Sequence, residues 1–190
     1  MIGFDTVTFA WEGNTVFDRA SFTLPDSGCF ALMGKSGSGK TTLIRLLAGL
    51  IRPDEGKVIG TENRKIAVLF QEDRLLPWRS ALRNVSLDGH DQSARELLQK
   101  MEIRDPDAFP SEHSGGMQRR VALARALHFG GEILLMDEPF KGLDESLRER
   151  IAFVVKNAGF PFILFVTHDM EEARLMGAKV LDIGLLKKGK

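Results

Sequence analysis

Residues Gly34–Thr41, which read GKSGSGKT, match the phosphate-loop pattern G-x-x-x-x-G-K-[ST]. The glycines let the backbone curl until several N–H groups point at one phosphate. Lys40 can reach the β- and γ-phosphates of a nucleotide, and the Thr41 hydroxyl can bind Mg²⁺. A glycine-rich turn without function is the alternative. Because a predicted strand precedes the loop and a helix follows it, the pattern favours a nucleotide site.

A second segment suited to anions is His113–Arg120, which reads HSGGMQRR. In it, Ser114, Gly115 and Gly116 form a small turn at the head of an Arg-rich amphipathic helix. The free N–H groups and the dipole of such a helix end both favour negative charge. The chain is therefore predicted to carry two helix ends that attract phosphate.

A third segment, Ile133–Pro139, reads ILLMDEP and places two carboxylates at the end of an apolar strand. Asp137 is suited to Mg²⁺ bound through water, and Glu138 is suited to orienting and polarising an attacking water molecule. An apolar run that ends in Asp is a weak signal alone, because many buried strands end that way. The added Glu-Pro pair, downstream of a phosphate loop, makes the signal strong.

Hydrophobic periodicity predicts the strands and helices that must position these residues. Strands are predicted from the alternating residues Ile2, Phe4, Val7 and Phe9 and over Ser21–Leu24, Cys29–Met33, Lys57–Ile59, Ile66–Phe70, Ile133–Met136, Phe162–Val166 and Lys179–Ile183. Helices are predicted over Lys40–Leu50, from a capping box of Ser93 and Glu96 through Met101, over Arg119–Leu127 and over Ser146–Ala158, with Pro53 ending the first. Buried strands that alternate with helices imply an α/β fold with a largely parallel sheet.

The chain is long enough for one domain with a substantial core, since its 190 residues lie within the usual range for a domain. Its character changes between residues 71 and 127, where Pro106 and Pro110 interrupt helical patterns. We expect a single domain over 1–190. Residues 1–70 and 128–190 would form the core, and 71–127 a small helical subdomain.

Composition argues against several classes of function. The 26 Lys and Arg residues balance 26 Asp and Glu residues, which argues against a general nucleic-acid-binding protein. Cys29 is the only cysteine, so a disulfide framework is excluded. The chain opens without a signal-peptide pattern, and its longest apolar runs are too short to span a bilayer. We expect a cytoplasmic protein that reaches a membrane only through a partner, with a solvated basic end at Lys187, Lys188 and Lys190.

Taken in order, these motifs resemble those of ATP-binding cassette ATPases, and the resemblance covers almost the entire chain. In this resemblance Gly34–Thr41 is the Walker A loop, and Asp137 and Glu138 belong to Walker B. The remaining motifs are the Q-loop at Gln71, the signature at Ser114, Gly115 and Gly116, the D-loop with Asp144 and the switch histidine His168. Six motifs in the order of the family leave little room for coincidence.

The resemblance implies a P-loop NTPase core with a mainly parallel sheet, an antiparallel β part near the N-terminus and a short helical subdomain. It implies ATP and Mg²⁺ as ligands, with Mg²⁺ at Thr41, Gln71 and Asp137. Glu138 and His168 are the expected catalytic residues. The residues expected to bind the nucleotide are Trp11, Gly34, Lys35, Ser36, Gly37, Ser38, Gly39, Lys40, Thr41 and Thr42.

Three of these residues would carry little weight alone. Trp11 stands where the family usually has an aromatic that stacks on adenine; the alternative is a core aromatic, since several phenylalanines lie nearby in sequence. A lone histidine is more often structural, but the place of His168 after the strand Phe162–Val166 favours contact with the γ-phosphate. Gln71, at a strand end before the helical insertion, resembles the residue that senses the γ-phosphate and Mg²⁺.

The segment Gln71–Trp78, which reads QEDRLLPW, resembles importer ATPases for nitrate, sulfonates, taurine and similar small ions. The resemblance implies an apolar surface for the coupling helix of a membrane permease, formed by Leu75, Leu76, Pro77 and Trp78. The alternative is that these residues only pack the helical insertion. We favour docking, because adjacent exposed apolar residues usually mark an interface.

The chain departs from the family pattern at two places. His113 stands where the signature usually begins with Leu, and Met117 stands where Gln is common. We interpret His113 as a replacement at a packing position rather than as a weakened signature, because Ser114–Gly116 is intact. Lys141 and Gly142 stand where small residues are usual, and Lys141 would bring positive charge near a dimer interface.

Together the motifs predict an ATP-driven switch in an importer. Two copies would bind two ATP molecules, each held by the phosphate loop of one copy and the signature of the other, and hydrolysis would release the copies. The expected partners are a second copy or a homologous cassette, permease subunits at the inner face of the cell membrane and a solute-binding protein, with no nucleic acid. A soluble non-transport ABC ATPase and a low-turnover ATP-binding scaffold are the alternatives. A GTPase is disfavoured, because the sequence has no Asn-Lys-x-Asp motif.

Overall fold

The computed structural model describes residues 1–87 and 89–187, so Lys188 and Lys190 of the expected basic end lie outside the described residues. The strands are β1 (Ile2–Trp11), β2 (Asn14–Leu24), β3 (Gly28–Met33), β4 (Glu55–Ile59), β5 (Ile66–Leu69), β6 (Ile133–Asp137), β7 (Phe162–Val166) and β8 (Lys179–Asp182). The helices are α1 (Lys40–Leu47), α2 (Ala81–Val85), α3 (Asp91–Lys100), α4 (Gly115–Phe129), α5 (Glu145–Lys156), α6 (Met170–Met176) and α7 (Ile183–Leu186), with a 3₁₀ turn at Pro110–Glu112.

Three strands near the N-terminus form an antiparallel sheet in the order β2-β1-β4. A two-residue turn, Glu12-Gly13, joins β1 to β2, and its φ angles of 46° and 84° suit a tight hairpin. The second strand is longer than the predicted Ser21–Leu24, because its pairing with β1 continues to Trp11 opposite Asn14. The expected antiparallel part of the fold is confirmed.

A five-stranded parallel sheet, in the order β5-β6-β7-β3-β8, separates two hydrophobic cores. Ile133 and Leu135 of β6 belong to the core that contains α1 and the antiparallel sheet. Leu134 and Met136 belong to the other core, which helices α2 to α6 cover. Because both faces of the sheet are buried, β6 is a continuous apolar run rather than an alternating one.

The parallel arrangement gathers the sequence motifs at one edge of this sheet. The carboxyl ends of parallel strands meet at the same edge, which is where ligands of α/β proteins usually bind. β3 leads there into the phosphate loop, and β5 leads into Gln71. β6 ends with Asp137, and β7 is followed by His168. The predicted α/β fold with a mainly parallel sheet is confirmed.

The first helix ends earlier than predicted, at Leu47 rather than at Leu50, and Pro53 does not end it. Gly49 adopts a φ of 68°, and the N–H of Leu50 donates to the carbonyl of Arg45 at 3.0 Å. This bond is the 6→1 hydrogen bond of a Schellman motif, in which glycine takes the left-handed position. The helix therefore ends at its own glycine.

The predicted capping box of Ser93 and Glu96 is wrong. Helix α3 begins at Asp91, so Ser93 lies within its first turn, where its hydroxyl donates to the carbonyl of His90 at 3.1 Å. Periodicity also missed α2, α6 and α7. Each of these has only four to seven residues, which is shorter than the stretch over which a helical period can be recognised.

Helices α2, α3 and α4 pack against one another, and α4 also packs against β5. They lie mostly within residues 71–127, although α4 continues to Phe129, past the expected boundary of the subdomain. The division into a core and a helical subdomain stays a prediction. Over residues 1–87 and 89–187, every helix is too short or too polar to cross a membrane.

Candidate nucleotide-binding site

The phosphate loop lies between β3 and α1. Gly39, directly before α1, has a φ of 96°, which a residue with a Cβ would adopt only with strain. The Lys40 ammonium donates to the carbonyls of Gly34 and Lys35, both at 2.8 Å, so its charge lies over the loop. The Ser38 hydroxyl is buried and has no hydrogen-bond partner among the described residues. Such an unpaired donor inside a curled loop fits a phosphate oxygen.

Thr41 and Asp137 connect the phosphate loop to the end of β6. The Thr41 hydroxyl donates to Asp137 Oδ2 at 2.6 Å, and Asp137 is buried. Burial raises the pKa of Asp137 above its ordinary value, although the bond from Thr41 opposes this shift. Together with Gln71, these residues line a cavity of about 310 Å³. The structure therefore brings together the three residues predicted to hold Mg²⁺.

The oxygen donors around this cavity suit Mg²⁺. Thr41, Gln71 and Asp137 offer a hydroxyl, an amide and a carboxylate oxygen, and hard cations prefer oxygen ligands. Among residues 1–87 and 89–187, no group of three or more His, Cys, Asp or Glu could hold a metal ion. Mg²⁺ commonly binds through one or two carboxylates together with substrate phosphates. The donor set fits that mode of binding.

Glu138 follows Asp137 in a strained backbone conformation. Its φ of 51° lies in the left-handed region, which residues other than Gly and Asn rarely adopt. Its N–H donates to the carbonyl of Val166 at 3.1 Å, which ties it to the end of β7. Its carboxylate oxygens lie 3.2 Å from Lys141 Nζ and 3.9 Å from His168 Nδ1. The two residues predicted to be catalytic are therefore neighbours.

Arg119 on α4 fixes this edge of the sheet, a role that the sequence did not predict. Its side chain is only 5% exposed and forms an ion pair of 2.8 Å with the Asp73 carboxylate. The same guanidinium donates to the carbonyls of Phe70, Asp137 and Glu138. One planar group with several fixed donors thus joins the ends of β5 and β6.

The spacing of Arg119 was a signal that could have identified it. Arg119 shares a helical face with Ala122, Leu123 and Ala126, all of which are buried. A charged side chain within an apolar face must find partners, because an unpaired buried charge is costly. Arg120 is buried as well, so α4 is not the amphipathic helix that was predicted.

A polar network supports the turn that carries His168. The His168 side chain is 83% exposed, whereas Thr167 is buried. The Thr167 hydroxyl donates to the Glu172 carboxylate on α6 and accepts from the N–H of Asp169 at 3.0 Å. Arg148 on α5 forms an ion pair with Asp169 at 2.5 Å. Both α5 and α6 therefore hold this turn.

Replacement of Glu172 by Gln is expected to change how the stability of the fold depends on pH. Burial raises the pKa of Glu172 above 4.5, so the folded chain holds this proton more tightly than the unfolded chain. The resulting stability is complete below the ordinary pKa and is lost as the pH rises through the raised value. The Glu172→Gln variant does not lose stability in this way, because the glutamine side chain has no proton to release in this pH range. Its melting temperature relative to wild type should therefore increase from about pH 4 to about pH 8, as measured by scanning calorimetry.

Glu171→Gln is the matched control, because Glu171 is exposed and pairs with Arg174 on the same helix, at 3.2 Å. Its melting temperature should follow that of the wild type across the same pH range. A difference between Glu172→Gln and wild type that does not change with pH would show that the pKa of Glu172 is not raised.

Trp11 lies beside the phosphate loop and outside the core. Its indole N–H donates to the Thr42 hydroxyl at 3.2 Å, and its ring meets Phe9 edge-on at 5.1 Å. The side chain is 41% exposed, whereas Phe4 and Phe17 are buried. The alternative that Trp11 is a core aromatic is therefore wrong, and an exposed ring face beside the loop is compatible with stacking on a base.

The signature turn begins α4. The Ser114 hydroxyl accepts from the N–H of Met117 at 3.3 Å and so caps this helix. A Cβ built on Gly116 would lie 3.2 Å from the carbonyl of Gly142, so the signature and the D-loop segment approach closely. A Cβ on Gly115 would meet open space.

Two further residues near the signature have defined positions. His113 is only 6% exposed, which agrees with its interpretation as a replacement at a packing position. Its ring nitrogens have no hydrogen-bond partner among the described residues. Asp144 caps α5 by accepting from the N–H of Leu147 at 2.9 Å. This bond and one from Ser146 hold the pKa of Asp144 below its usual value.

The predicted permease surface is only partly exposed. Leu75 and Leu76 are half-buried, and Leu75 packs against the core, so their expected exposure is wrong. Pro77 is exposed, and Trp78 is 71% exposed. The buried side chain of Asn84 fixes this loop, because it accepts from the N–H of Leu76 at 2.7 Å and donates to the carbonyl of the same residue.

Two apolar side chains that the sequence did not single out lie beside Trp78. Leu87 and Phe109 are 55% and 45% exposed, and with Trp78 they line a cavity of about 530 Å³. We refer to Trp78, Leu87 and Phe109 as the Trp78 surface. They come from three separate segments, so no local pattern in the sequence could have grouped them.

Comparison with known proteins agrees with this geometry. Residues 17–141 match the ABC transporter family. An aliphatic sulfonates import ATP-binding protein from Granulibacter bethesdensis is 43% identical over 175 residues, which are 88% of this chain and 73% of that protein. A taurine import ATP-binding protein from Rhizobium johnstonii is 38% identical over 191 residues, which are 89% of this chain and 72% of that protein.

A solved structure of similar fold is a dimeric ATP-binding cassette in a post-hydrolysis state, bound to ADP and Pi. It superimposes with a TM-score of 0.85 at 28% sequence identity, over 96% of this chain and 94% of that chain. The similarity therefore includes both sheets and the edge at which the motifs meet.

Proposed function

The chain belongs to the ABC transporter family and is an ATP-hydrolysing cassette, and we propose that it is the nucleotide-binding subunit of a membrane importer. The observation that carries this proposal is the hydrogen bond between Thr41 and Asp137, which line one cavity together with Gln71. Glu138 follows Asp137 directly in the chain. Relatives named for the import of aliphatic sulfonates and taurine support a small organic or inorganic ion as the solute. They favour transport over the alternative of a soluble non-transport ATPase.

In the proposed site the triphosphate of ATP lies on the phosphate loop, residues 34–42, and the base stacks on Trp11. The loop N–H groups, the Ser38 hydroxyl and Lys40 would donate to the phosphates. Mg²⁺ held by Thr41 and Asp137, with Gln71 beside them, would neutralise charge on the phosphates.

The proposed hydrolysis uses the two neighbouring side chains at the ends of β6 and β7. Glu138 would accept the proton of the attacking water, and His168 would donate to the γ-phosphate. Arg119 would keep the strained backbone of Glu138 in place, since it donates to the Glu138 carbonyl at 2.9 Å. Positioned charges and donors, rather than a covalent intermediate, would supply most of the rate enhancement.

We infer that a second copy completes each site. The helix that begins after Ser114 offers free N–H groups to an anion, as does α1, and the cavity beside the phosphate loop is lined without Ser114, Gly115 or Gly116 among the described residues. An ATP molecule between two copies would satisfy both helix ends, with Asp144 near the junction. The dimeric cassette bound to ADP and Pi supports this arrangement.

We propose that the Trp78 surface binds a permease and so places the chain at the inner face of the cell membrane. The surface combines exposed apolar side chains with a loop that Asn84 holds rigid, which lowers the entropy lost on binding. Trp78 lies at the end of the segment that begins at Gln71. A movement of Gln71 in response to the γ-phosphate would therefore be transmitted to the partner. A solute-binding protein would complete the importer.

Replacement of Trp78 by Ala is expected to lower the recovery of the permease by about tenfold or more. A large exposed aromatic at the centre of an interface commonly carries a major share of the binding free energy. The tagged chain is expressed in its source cells, purified from detergent-solubilised membranes, and its membrane partners are quantified by mass spectrometry. The partner recovered with the wild-type chain should be a protein with several membrane spans.

Phe153→Ala is the matched control, because Phe153 is 69% exposed, close to the 71% of Trp78, and lines a different cavity on α5. It removes a similar apolar area and should leave the recovery unchanged. An equal loss with both variants would argue against the Trp78 surface. Failure of the wild-type chain to recover any multi-span protein would contradict the importer.

A further inference from the structure

Lys141 brings a positive charge to the Glu138 carboxylate. Its Nζ lies 3.2 Å from Glu138 Oε2, and the two side chains are 62% and 26% exposed. The backbone supports this approach, because the N–H of Lys141 donates to the carbonyl of Glu138 at 3.3 Å and the two residues close one turn after β6. The ion pair is therefore built into the turn, at a position where the family usually carries a small residue.

This ion pair distinguishes the two oxygens of the carboxylate. Oε2 faces Lys141, while Oε1 lies 3.9 Å from His168 Nδ1. The ion pair restricts the rotation of the carboxylate plane, so that while one oxygen is bound to Lys141 the other faces His168. One carboxylate oxygen therefore keeps a fixed orientation towards His168. Fixed orientation of a reacting group is a common source of rate enhancement.

Lys141 also lines the same cavity of about 310 Å³ as Thr41 and Asp137. Arg45 and Arg74 line it too, and the guanidinium of Arg74 pairs with Glu72 at 3.5 Å. Lys141 therefore contacts Glu138 and also lines the cavity in which Mg²⁺ is proposed to bind. Its charge there is compatible with the negative charge of ATP and does not oppose nucleotide entry.

We propose that Lys141 is a positioning residue for ATP hydrolysis, which holds the Glu138 carboxylate so that Oε1 faces the attacking water beside His168. This inference rests on the proposed function, in which Glu138 accepts the proton of that water. Loss of Lys141 should slow the chemical step and leave the affinity for ATP unchanged, since Lys141 would act through Glu138.

Replacement of Lys141 by Ala is expected to lower kcat about fivefold, the limit that exposed ion pairs usually reach, with KM for ATP within about twofold of wild type. Lys141→Arg keeps the charge and should restore most of the rate. In about 1 M NaCl, where the screening length falls to about 3 Å, the difference between wild type and Lys141→Ala should shrink. Steady-state ATPase assays of the full chain with Mg²⁺ measure the loss in Lys141→Ala, the rescue by Lys141→Arg and the effect of salt. A merely structural role would give neither the rescue nor the salt dependence.

Lys100→Ala is the control, since Lys100 is exposed on α3 and lines a different cavity. Its kcat should equal that of the wild type. An unchanged or raised kcat for Lys141→Ala, or a raised KM at unchanged kcat, would overturn the positioning role while the ATPase function stands. A wild-type chain that does not hydrolyse ATP would instead overturn the proposed function, and this inference with it.

Discussion

Replacement of Glu138 by Gln is expected to lower the turnover of ATP by a factor of about 10² to 10⁴, the usual contribution of a general base. Gln keeps the size of the side chain but cannot accept a proton from the attacking water. It is also neutral, so it loses the ion pair with Lys141. Binding of ATP should remain, because the phosphate loop is unchanged. Phosphate release measures the turnover, and equilibrium titration with ATP measures the affinity.

The same variant should accumulate as a dimer with ATP, because ATP joins two copies and hydrolysis is needed to release them. Size-exclusion chromatography with light scattering should detect the dimer with ATP and Mg²⁺. Chelation of Mg²⁺ should weaken the dimer, since the cation offsets the repulsion between the phosphates and Asp137. Glu171→Gln, an exposed replacement of the same type, should stay at the wild-type rate. A Glu138→Gln chain that stays monomeric with ATP, while the wild type turns over, would contradict the switch.

The parts of the site that lie within one segment could be predicted from the sequence. The phosphate loop is specified locally, because its glycines permit the curled backbone and Lys40 and Thr41 begin the next helix. Asp137 and His168 could be placed as well, since each follows a buried apolar run. Their convergence follows from a parallel sheet, which the alternation of strands and helices already implied.

Contacts between distant segments could not be predicted in the same way. Arg119 meets carbonyls from the ends of two strands because α4 packs beside them, and carbonyl groups carry no side-chain signal. The φ of 51° at Glu138 has no signature in the residue type either. The approach of Lys141 to Glu138 depends on this backbone conformation, so the sequence showed an unusual lysine and not its partner. The Trp78 surface depends in the same way on three separate segments.

Replacement of Arg119 by Met is expected to lower the free energy of unfolding by about 3 kcal/mol, near the lower end of the cost of breaking a buried ion pair. The lower end applies because Asp73, at 23% exposed, can regain water when its partner is lost. The carbonyls of Asp137 and Glu138 lose their donors in a site with little access to water, which adds to the cost. Denaturant titration followed by circular dichroism measures the change.

Arg95→Met is the control for loss of an arginine, because Arg95 pairs with Asp107 where both side chains are exposed, at 45% and 66%. It should change the free energy of unfolding by less than about 1 kcal/mol. Arg119→Lys keeps the charge but not the planar fork, so it should recover only part of the stability. Because Arg119 also holds the backbone of Glu138, the folded fraction of Arg119→Lys should hydrolyse ATP more slowly than wild type. Full stability and full turnover in Arg119→Lys would show that a single positive charge, and not the set of carbonyl contacts, fixes this edge of the sheet.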